Sequence, residues 1–206
     1  MTSLSKSGVY LQATERLGEE QAAANAGMFF RRWLANPLQM GSVIPSSASL
    51  CRRVVAQTRH SADEIVVELG AGTGVISRAL LAGGLSPERL FVVEIVPGMA
   101  GHLRRTLPGV QVIEGDARAL ADLLPAIWHG RVGTAICGIP LVLLPVIEQR
   151  RFIDAMLAVA PGRGFLHYSY CVTSPLPARR HGLVAKREAW TALNFPPASV
   201  WRYTPQ

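Results

Sequence analysis

The chain has 206 residues, 49% of them hydrophobic, with a formal net charge of +7 and an isoelectric point near 10.0. That length and apolar content support one domain with a sizeable core plus a terminal extension, and the basic balance favours an anionic partner, nucleic acid or an acidic membrane surface, unless it is simply a solvated basic face. Cys51, Cys137 and Cys171 are the three cysteines; their scattered placement and odd number exclude a zinc site and predict reduced thiols.

Residues 9–34 read as helical, with Gly18 and Gly27 weakening the pattern and dividing it. Polar and charged residues interrupt any apolar h-region here, which excludes a signal peptide. In the last turns Met28, Phe29, Phe30, Trp33 and Leu34 share a face, with Arg31 and Arg32 beside it, and Asn36-Pro37 ends the helix. Aromatics beside arginines suit a helix lying on anionic lipid. The same face packed on the domain, with solvated arginines, fits the pattern equally well. Residues 41–44 form a short extended linker, so the division falls between a helical extension, 1–41, and a main domain, 42–206. Pro45-Ser46-Ser47 then starts a helix with Ser46 or Ser47 as N-cap and with Leu50, Val54 and Val55 as apolar members. A helix start here can also greet a carboxylate or phosphate.

The next stretch, Val66-Val67-Glu68-Leu69-Gly70-Ala71-Gly72-Thr73-Gly74, organises the chain. It reads as a buried parallel strand, a tight turn and a helix N-terminus. One glycine permits backbone angles closed to other residues. The others leave room for a ligand to touch the main chain and for the helix to pack on the strand. Glu68 directly precedes the glycines. Glu94 closes the next apolar run, 90–93, roughly 20 residues on, where a nucleotide-binding sheet places its ribose-binding carboxylate.

The helix after the turn runs through Leu80-Leu81 and stops at Gly83-Gly84. Strand two spans 90–95; Pro97 opens a helix that fades near Leu107-Pro108. Strand three, 110–113, leads into Glu114-Gly115-Asp116-Ala117. Asp116 thus stands at a strand's carboxyl end, where it can accept from an adenine amino group, cap a helix over 117–124, or do both. Strand four, 133–137, leads into Gly138-Ile139-Pro140-Leu141, and a helix over 146–158 follows. The most apolar stretch, 135–147, is too short to span a bilayer and is broken by Gly138, Pro140 and Pro145, so any membrane contact is peripheral. On strand five, 164–170, alternation places Tyr168 and Tyr170 on one face and His167 on the other. A loop over 174–181 and two extended runs, 183–193 and 197–203, finish the chain. Alternating β and α elements ending in a hairpin-like pair predict an α/β, Rossmann-like seven-stranded sheet with one antiparallel member and helices on both faces.

The G-x-G-x-G spacing with an acidic residue in front resembles motif I of the class I S-adenosylmethionine-dependent methyltransferases. Dinucleotide binders instead favour G-x-G-x-x-G, so that a pyrophosphate meets the helix N-terminus. S-adenosylmethionine has no phosphate and carries a sulfonium and an ammonium, which nearby carboxylates suit. Three further segments carry a closer resemblance. They are Phe30-Arg31-Arg32-Trp33-Leu34-Ala35-Asn36-Pro37-Leu38 with Gly41-Ser42-Val43-Ile44-Pro45-Ser46, then Gly138-Ile139-Pro140-Leu141, and Asn194-Phe195-Pro196-Pro197-Ala198-Ser199-Val200-Trp201-Arg202-Tyr203. They are similar to the signatures of bacterial phospholipid N-methyltransferases, which are soluble-fold enzymes related to the ribosomal RNA adenine dimethyltransferases.

That resemblance implies stepwise methylation of phosphatidylethanolamine, through its mono- and dimethyl forms, towards phosphatidylcholine, with S-adenosylhomocysteine as the other product. It implies a cytoplasmic enzyme held peripherally on the anionic inner face of the cell membrane, with Phe29, Phe30, Arg31, Arg32 and Trp33 in contact with lipid. By motif, Glu68, Gly70, Gly72 and Gly74 hold the methionine part of the cofactor, Glu94 the ribose and Asp116 the adenine; Ala71, Ile95, Ala117, Gly138 and Ser46 join the cofactor-binding set. The RNA-methylating relatives begin the loop after strand four with the Asn of an N-L-P-Y sequence, which bonds the target amine. Gly138 and Leu141 supply neither the amide nor the ring, which argues against a flipped adenine and a nucleic-acid partner. RNA adenine N6-methylation is the alternative reading, and a non-catalytic S-adenosylmethionine-binding module is a third.

Methyl transfer needs a free amine lone pair aligned with the methyl group. An ethanolamine amine, with a solution pKa on the order of 10, must first lose a proton. The catalytic candidates are Tyr168, to orient the amine, then Tyr170 and His167. Aromatic faces suit an amine that becomes quaternary, although a sheet tyrosine also serves as core with a tethered hydroxyl. Arg179 and Arg180 are candidates to pair with the lipid phosphate, against plain solvation.

Overall fold

The computed structural model describes residues 47–171, 173–194 and 196–206. The expected extension over 1–41, the membrane-contact residues Phe29, Phe30, Arg31, Arg32 and Trp33, and Ser46 lie outside the described residues.

Five strands run parallel in chain order: β1 (Ile65–Leu69), β2 (Leu90–Glu94), β3 (Gln111–Glu114), β4 (Val132–Cys137) and β5 (Phe165–Ser169). With β6 (Leu183–Thr191) and β7 (Ala198–Pro205) they make a seven-stranded sheet in the order β3-β2-β1-β4-β5-β7-β6. β1, β2 and β4 are buried at every position. Helices cover both faces of these strands, which is why they read as unbroken apolar runs and not as alternation.

Against one face pack α1 (Ala48–Gln57), α2 (Val75–Ala82) and α3 (Pro97–Thr106), with Leu50, Val54, Ile76, Leu80 and Leu103 meeting Val66, Val92, Ile136 and Leu166. Against the other pack α4 (Leu120–Leu123) and α5 (Val146–Val159), with Leu120, Phe152, Ile153 and Met156 meeting Val67, Val93, Ala135, Phe165 and Tyr203. The strand residues alternate between the two cores, as the pleat requires. Strand order reverses at β1, so the carboxyl ends of β1 and β4 border the crevice where such sheets hold ligands.

One expectation needs correction. The helix over 117–124 is a 3-10 turn, Ala117–Ala119, and a single α-turn, Leu120–Leu123; Pro125 follows and forbids its continuation. The closing pair is antiparallel as expected, and β7, the one antiparallel member, lies between β5 and β6. Burial explains the order. β7 carries buried Ala198, Ser199, Val200 and Tyr203, whereas Val184, Lys186 and Arg187 of β6 are exposed, and charged residues suit an unpaired edge.

Ser47 caps α1, its Oγ accepting from Leu50 N at 3.2 Å, and its own N–H donates to Asn194 Oδ1 at 2.8 Å. The start of α1 is thereby fastened to the turn before β7. Among the described residues no helix is long and apolar enough to cross a membrane.

Candidate active site

The turn after β1 is set by three glycines, Gly70, Gly72 and Gly74, with φ of 71°, 55° and 77°. All three occupy the left-handed region that favours glycine, where the sequence reading assigned that need to one. A Cβ on Gly70 would lie 2.8 Å from Ile139 Cγ1, and one on Gly74 would lie 2.7 Å from Leu103 Cδ2, whereas one on Gly72 would meet nothing within 4 Å. Packing closes two of the glycines; Gly72 leaves a main-chain face open. The ladder continues one residue past the strands: Gly70 N donates to Val93 O (2.9 Å), Gly115 N to Glu94 O (3.1 Å) and Gly138 N to Leu69 O (2.8 Å). Segments leaving β1, β3 and β4 therefore stay side by side and converge on one crevice.

Two carboxylates lie at the strand tips. Glu68 is fully buried. Its Oε2 accepts from Ser77 Oγ of α2 at 2.5 Å, while Oε1 has no protein partner. Burial, which the Ser77 bond only partly offsets and the Glu94 charge reinforces, pushes the Glu68 carboxyl up to about 7. Glu94 accepts from Gly72 N at 3.1 Å and from Val96 N at 3.0 Å, so it braces the glycine turn as well as facing it. Asp116 caps its turn by accepting from Arg118 N at 2.9 Å and pairs with the Arg118 guanidinium, whose Nη1 also reaches Glu148 Oε2 at 2.9 Å. Burial would raise the Asp116 pKa, but the Arg118 bonds outweigh it and hold the carboxyl below its ordinary value. Ile95 and Ala117 lie next to these acids in the chain, Ile95 half-buried and Ala117 buried, and half-buried Ala71 packs within the turn.

On and just beyond β5, Tyr168 and Tyr170 lie against the α1–α2 face, as alternation anticipates. A Cβ on Gly138 would fall 2.6 Å from Tyr168 Oη, 2.8 Å from Gly70 O and 3.2 Å from Leu69 O. The phenol thus occupies the space that a side chain at 138 would need, at the tips of β1 and β4. Burial first, then the charges of Glu68 and Tyr170, raise the Tyr168 pKa well above its ordinary value. It remains a neutral hydroxyl, able to donate or accept, and is not a phenolate base.

His167 is not part of this group. Its ring is buried on the α5 side, with Nδ1 2.9 Å from Cys137 O. A carbonyl only accepts, so Nδ1 carries the proton, and burial lowers the pKa to about 4. Arg179 and Arg180 are not brought there either. They sit in the 3-10 turn Ala178–His181, which His181 Nε2 to Gln149 Oε1 (2.9 Å) and Arg150 Nη1 to His181 O (3.2 Å) fasten to α5. The loop leaving β5 crosses that face because Leu176 is buried in its core. Two residues escaped the sequence reading. Ser77 had a usable signal, being a polar residue on the core-facing side of an apolar helix; Arg118 had none beyond its nearness to Asp116.

No family model matches the chain. It is 33% identical over 139 residues to an ornithine lipid N-methyltransferase from Singulisphaera acidiphila, across 64% of this chain and 70% of that protein. It is 30% identical over 120 residues to ribosomal RNA small subunit methyltransferase A of Chlorobium phaeobacteroides, across 56% of this chain and 43% of that protein. Among solved structures, magnesium protoporphyrin IX methyltransferase from Synechocystis with bound SAM matches at a TM-score of 0.54 and 17% identity, over 77% of this chain and 79% of that one. A TehB-like SAM-dependent methyltransferase from Corynebacterium glutamicum matches at 0.55 and 14%, over 89% and 99%. Likeness at that identity shows the fold alone. Kinship across 70% of a lipid N-methyltransferase, on a sheet with an acid-flanked glycine turn, makes this chain a member of the class I S-adenosylmethionine-dependent methyltransferase family, an enzyme with S-adenosylmethionine as its cofactor.

Proposed function

We propose that the enzyme methylates the headgroup amine of a membrane aminolipid, namely phosphatidylethanolamine and its mono- and dimethyl forms, towards phosphatidylcholine. The observation that carries this reading is the contact of Tyr168 Oη with the bare main chain of Gly138. The acceptor side offers a neutral phenol and an aromatic face, which suit a small aliphatic amine that gains methyl groups and finally charge. The likeness to an ornithine lipid N-methyltransferase supports a lipid amine.

The strand tips fit the cofactor on three counts: the open face at Gly72, the unpartnered Oε1 of Glu68 and the second carboxylate at Glu94. Bound there, S-adenosylmethionine supplies an electrophilic methyl group on a sulfonium. Glu68 would hold its ammonium. Glu94 would take the ribose hydroxyls while keeping both main-chain bonds, since each carboxylate oxygen accepts more than one. Asp116 would accept from the adenine amino group beside its capping bond. Tyr168 would orient the lone pair of the acceptor, and burial of the amine would favour its neutral form.

The test uses purified protein with methyl-labelled cofactor, offered vesicles of phosphatidylethanolamine plus an anionic lipid, ornithine lipid vesicles, or RNA. Label in phosphatidylethanolamine is the expected result. Label in RNA alone overturns the reading, and label in ornithine lipid alone reassigns the headgroup.

Glu68 gives a second expectation. Its folded pKa, about 7, exceeds the ordinary 4.5, so the folded protein keeps a proton that the unfolded chain releases between those values. The stability it contributes is full below 4.5 and is lost as pH rises through about 7. Cofactor binding runs the other way, because an ammonium favours the ionised carboxylate. Affinity should weaken as pH falls below 7, approaching tenfold per unit, and Glu68→Gln should flatten the profile. Calorimetric titration of S-adenosylmethionine across pH checks both; a flat profile in the unaltered protein would count against this role.

A further inference from the structure

Eight large hydrophobic side chains are exposed among the described residues, and four of them, Val142, Leu143, Val146 and Ile147, fall within six consecutive positions. They follow directly on Gly138, Ile139 and Pro140, through the 3-10 turn Leu141–Leu143 and the first turn of α5. Their outward direction is fixed. Leu141 and Leu144 anchor the turn in the core, and Gln149 Nε2 donates to Leu144 O at 3.0 Å. A rigid turn therefore presents apolar groups to water at the rim of the crevice, and an exposed apolar cluster at such a place marks a contact surface.

Charge indicates what covers it. One turn further along α5, exposed Arg150 and Arg151 follow Val146 and Ile147 at the i+4 spacing. Arg150 also reaches His181 O at 3.2 Å, which brings the turn carrying exposed Arg179 and Arg180 alongside the same helix. Glu148 and Asp154 pair with Arg151 and Arg150, yet the border as a whole is basic. An apolar strip edged by arginines complements an anionic bilayer, with the side chains entering the acyl boundary and the guanidinium groups meeting phosphates.

We propose that Val142, Leu143, Val146 and Ile147 form a lip that enters the surface of an anionic bilayer beside the Gly138–Tyr168 contact. The proposal rests on the lipid reading of the site and adds the place where the membrane meets it. Arg179 and Arg180 act there at the phosphate plane and not on the reacting headgroup.

The full chain is tested with Ile147→Cys in a Cys171→Ser background, labelled with an environment-sensitive dye. Vesicles contain phosphatidylglycerol and nitroxide-bearing lipid. Quenching at 147, and none for a label at Ala158→Cys near the other end of the same helix, is expected. Val146→Asp with Ile147→Asp should lower vesicle partitioning on the order of tenfold, while methylation of a monomeric short-chain aminolipid is retained. A chain that sediments with vesicles while its 147 label stays unquenched overturns the lip, as does a chain that does not sediment. Reversible self-association abolished by Ile147→Asp overturns it too, making the cluster a subunit interface. Quenching without methyl transfer to any lipid upholds the lip and brings down the lipid substrate; transfer to the short-chain lipid without quenching does the reverse.

Discussion

Tyr168→Phe is expected to lower kcat about 100-fold, the scale of losing one positioned hydrogen-bonding group in a water-poor site, with S-adenosylmethionine affinity nearly unchanged. The ring remains, so packing against the α1–α2 face survives; only the hydroxyl beside Gly138 is lost. A purely structural tyrosine would instead lower stability and leave kcat in place. Gly138 supplies the coupled test. In the unaltered enzyme an alanine there collides with Tyr168 Oη at 2.6 Å and with Gly70 O at 2.8 Å. In Tyr168→Phe the first collision disappears. Gly138→Ala should therefore cost more alone than in the phenylalanine background, a non-additivity that a double-mutant cycle reads directly. Additive losses would mean that the two residues do not share the space the geometry gives them.

Gly164→Ala is expected to remove about 3 to 5 kcal/mol of stability. Gly164 has φ of 67°, and a Cβ on it would lie 1.9 Å from Tyr203 O and 2.8 Å from Tyr203 C. Those are backbone atoms of β7, held by the pairing of Tyr203 with Phe165 and with Ala185, so relief requires moving a strand that is hydrogen-bonded on both sides. Gly162 is the natural control: its φ is 72°, yet a Cβ there meets nothing within 4 Å. Gly162→Ala should cost only the conformational strain, about 1 kcal/mol. Urea unfolding distinguishes them. Equal midpoints for the two variants would refute the close approach, whereas failure of Gly164→Ala alone to fold would be its extreme form.

Strands β1, β2 and β4 were legible because they are buried on both faces and stand out as apolar runs that end at Gly or Glu. The place of β7 was not, since hairpin-like spacing fixes neither which partner lies inside nor how far it inserts; burial of Val200 and Tyr203 decides that. Alternation correctly separated Tyr168 from His167. It could not reveal that the Tyr168 hydroxyl abuts Gly138, a contact between residues 30 positions apart in the chain. Nor does proximity in sequence to β5 say which face the loop carrying Arg179 and Arg180 crosses; burial of Leu176 decides that.

The paired acids at the tips of β1 and β2 also bear on competition within the cell. Adenosine circulates mainly as polyphosphates such as ATP, whose base and sugar match those of the methyl donor. On the assignment proposed above, Glu68 would face the 5′ substituent and Glu94 the ribose beside it, so their ionised carboxylates would repel a triphosphate and attract a cationic sulfur nucleoside. Such a crevice would select a scarcer metabolite in the presence of an abundant look-alike without any contact dedicated to rejecting it.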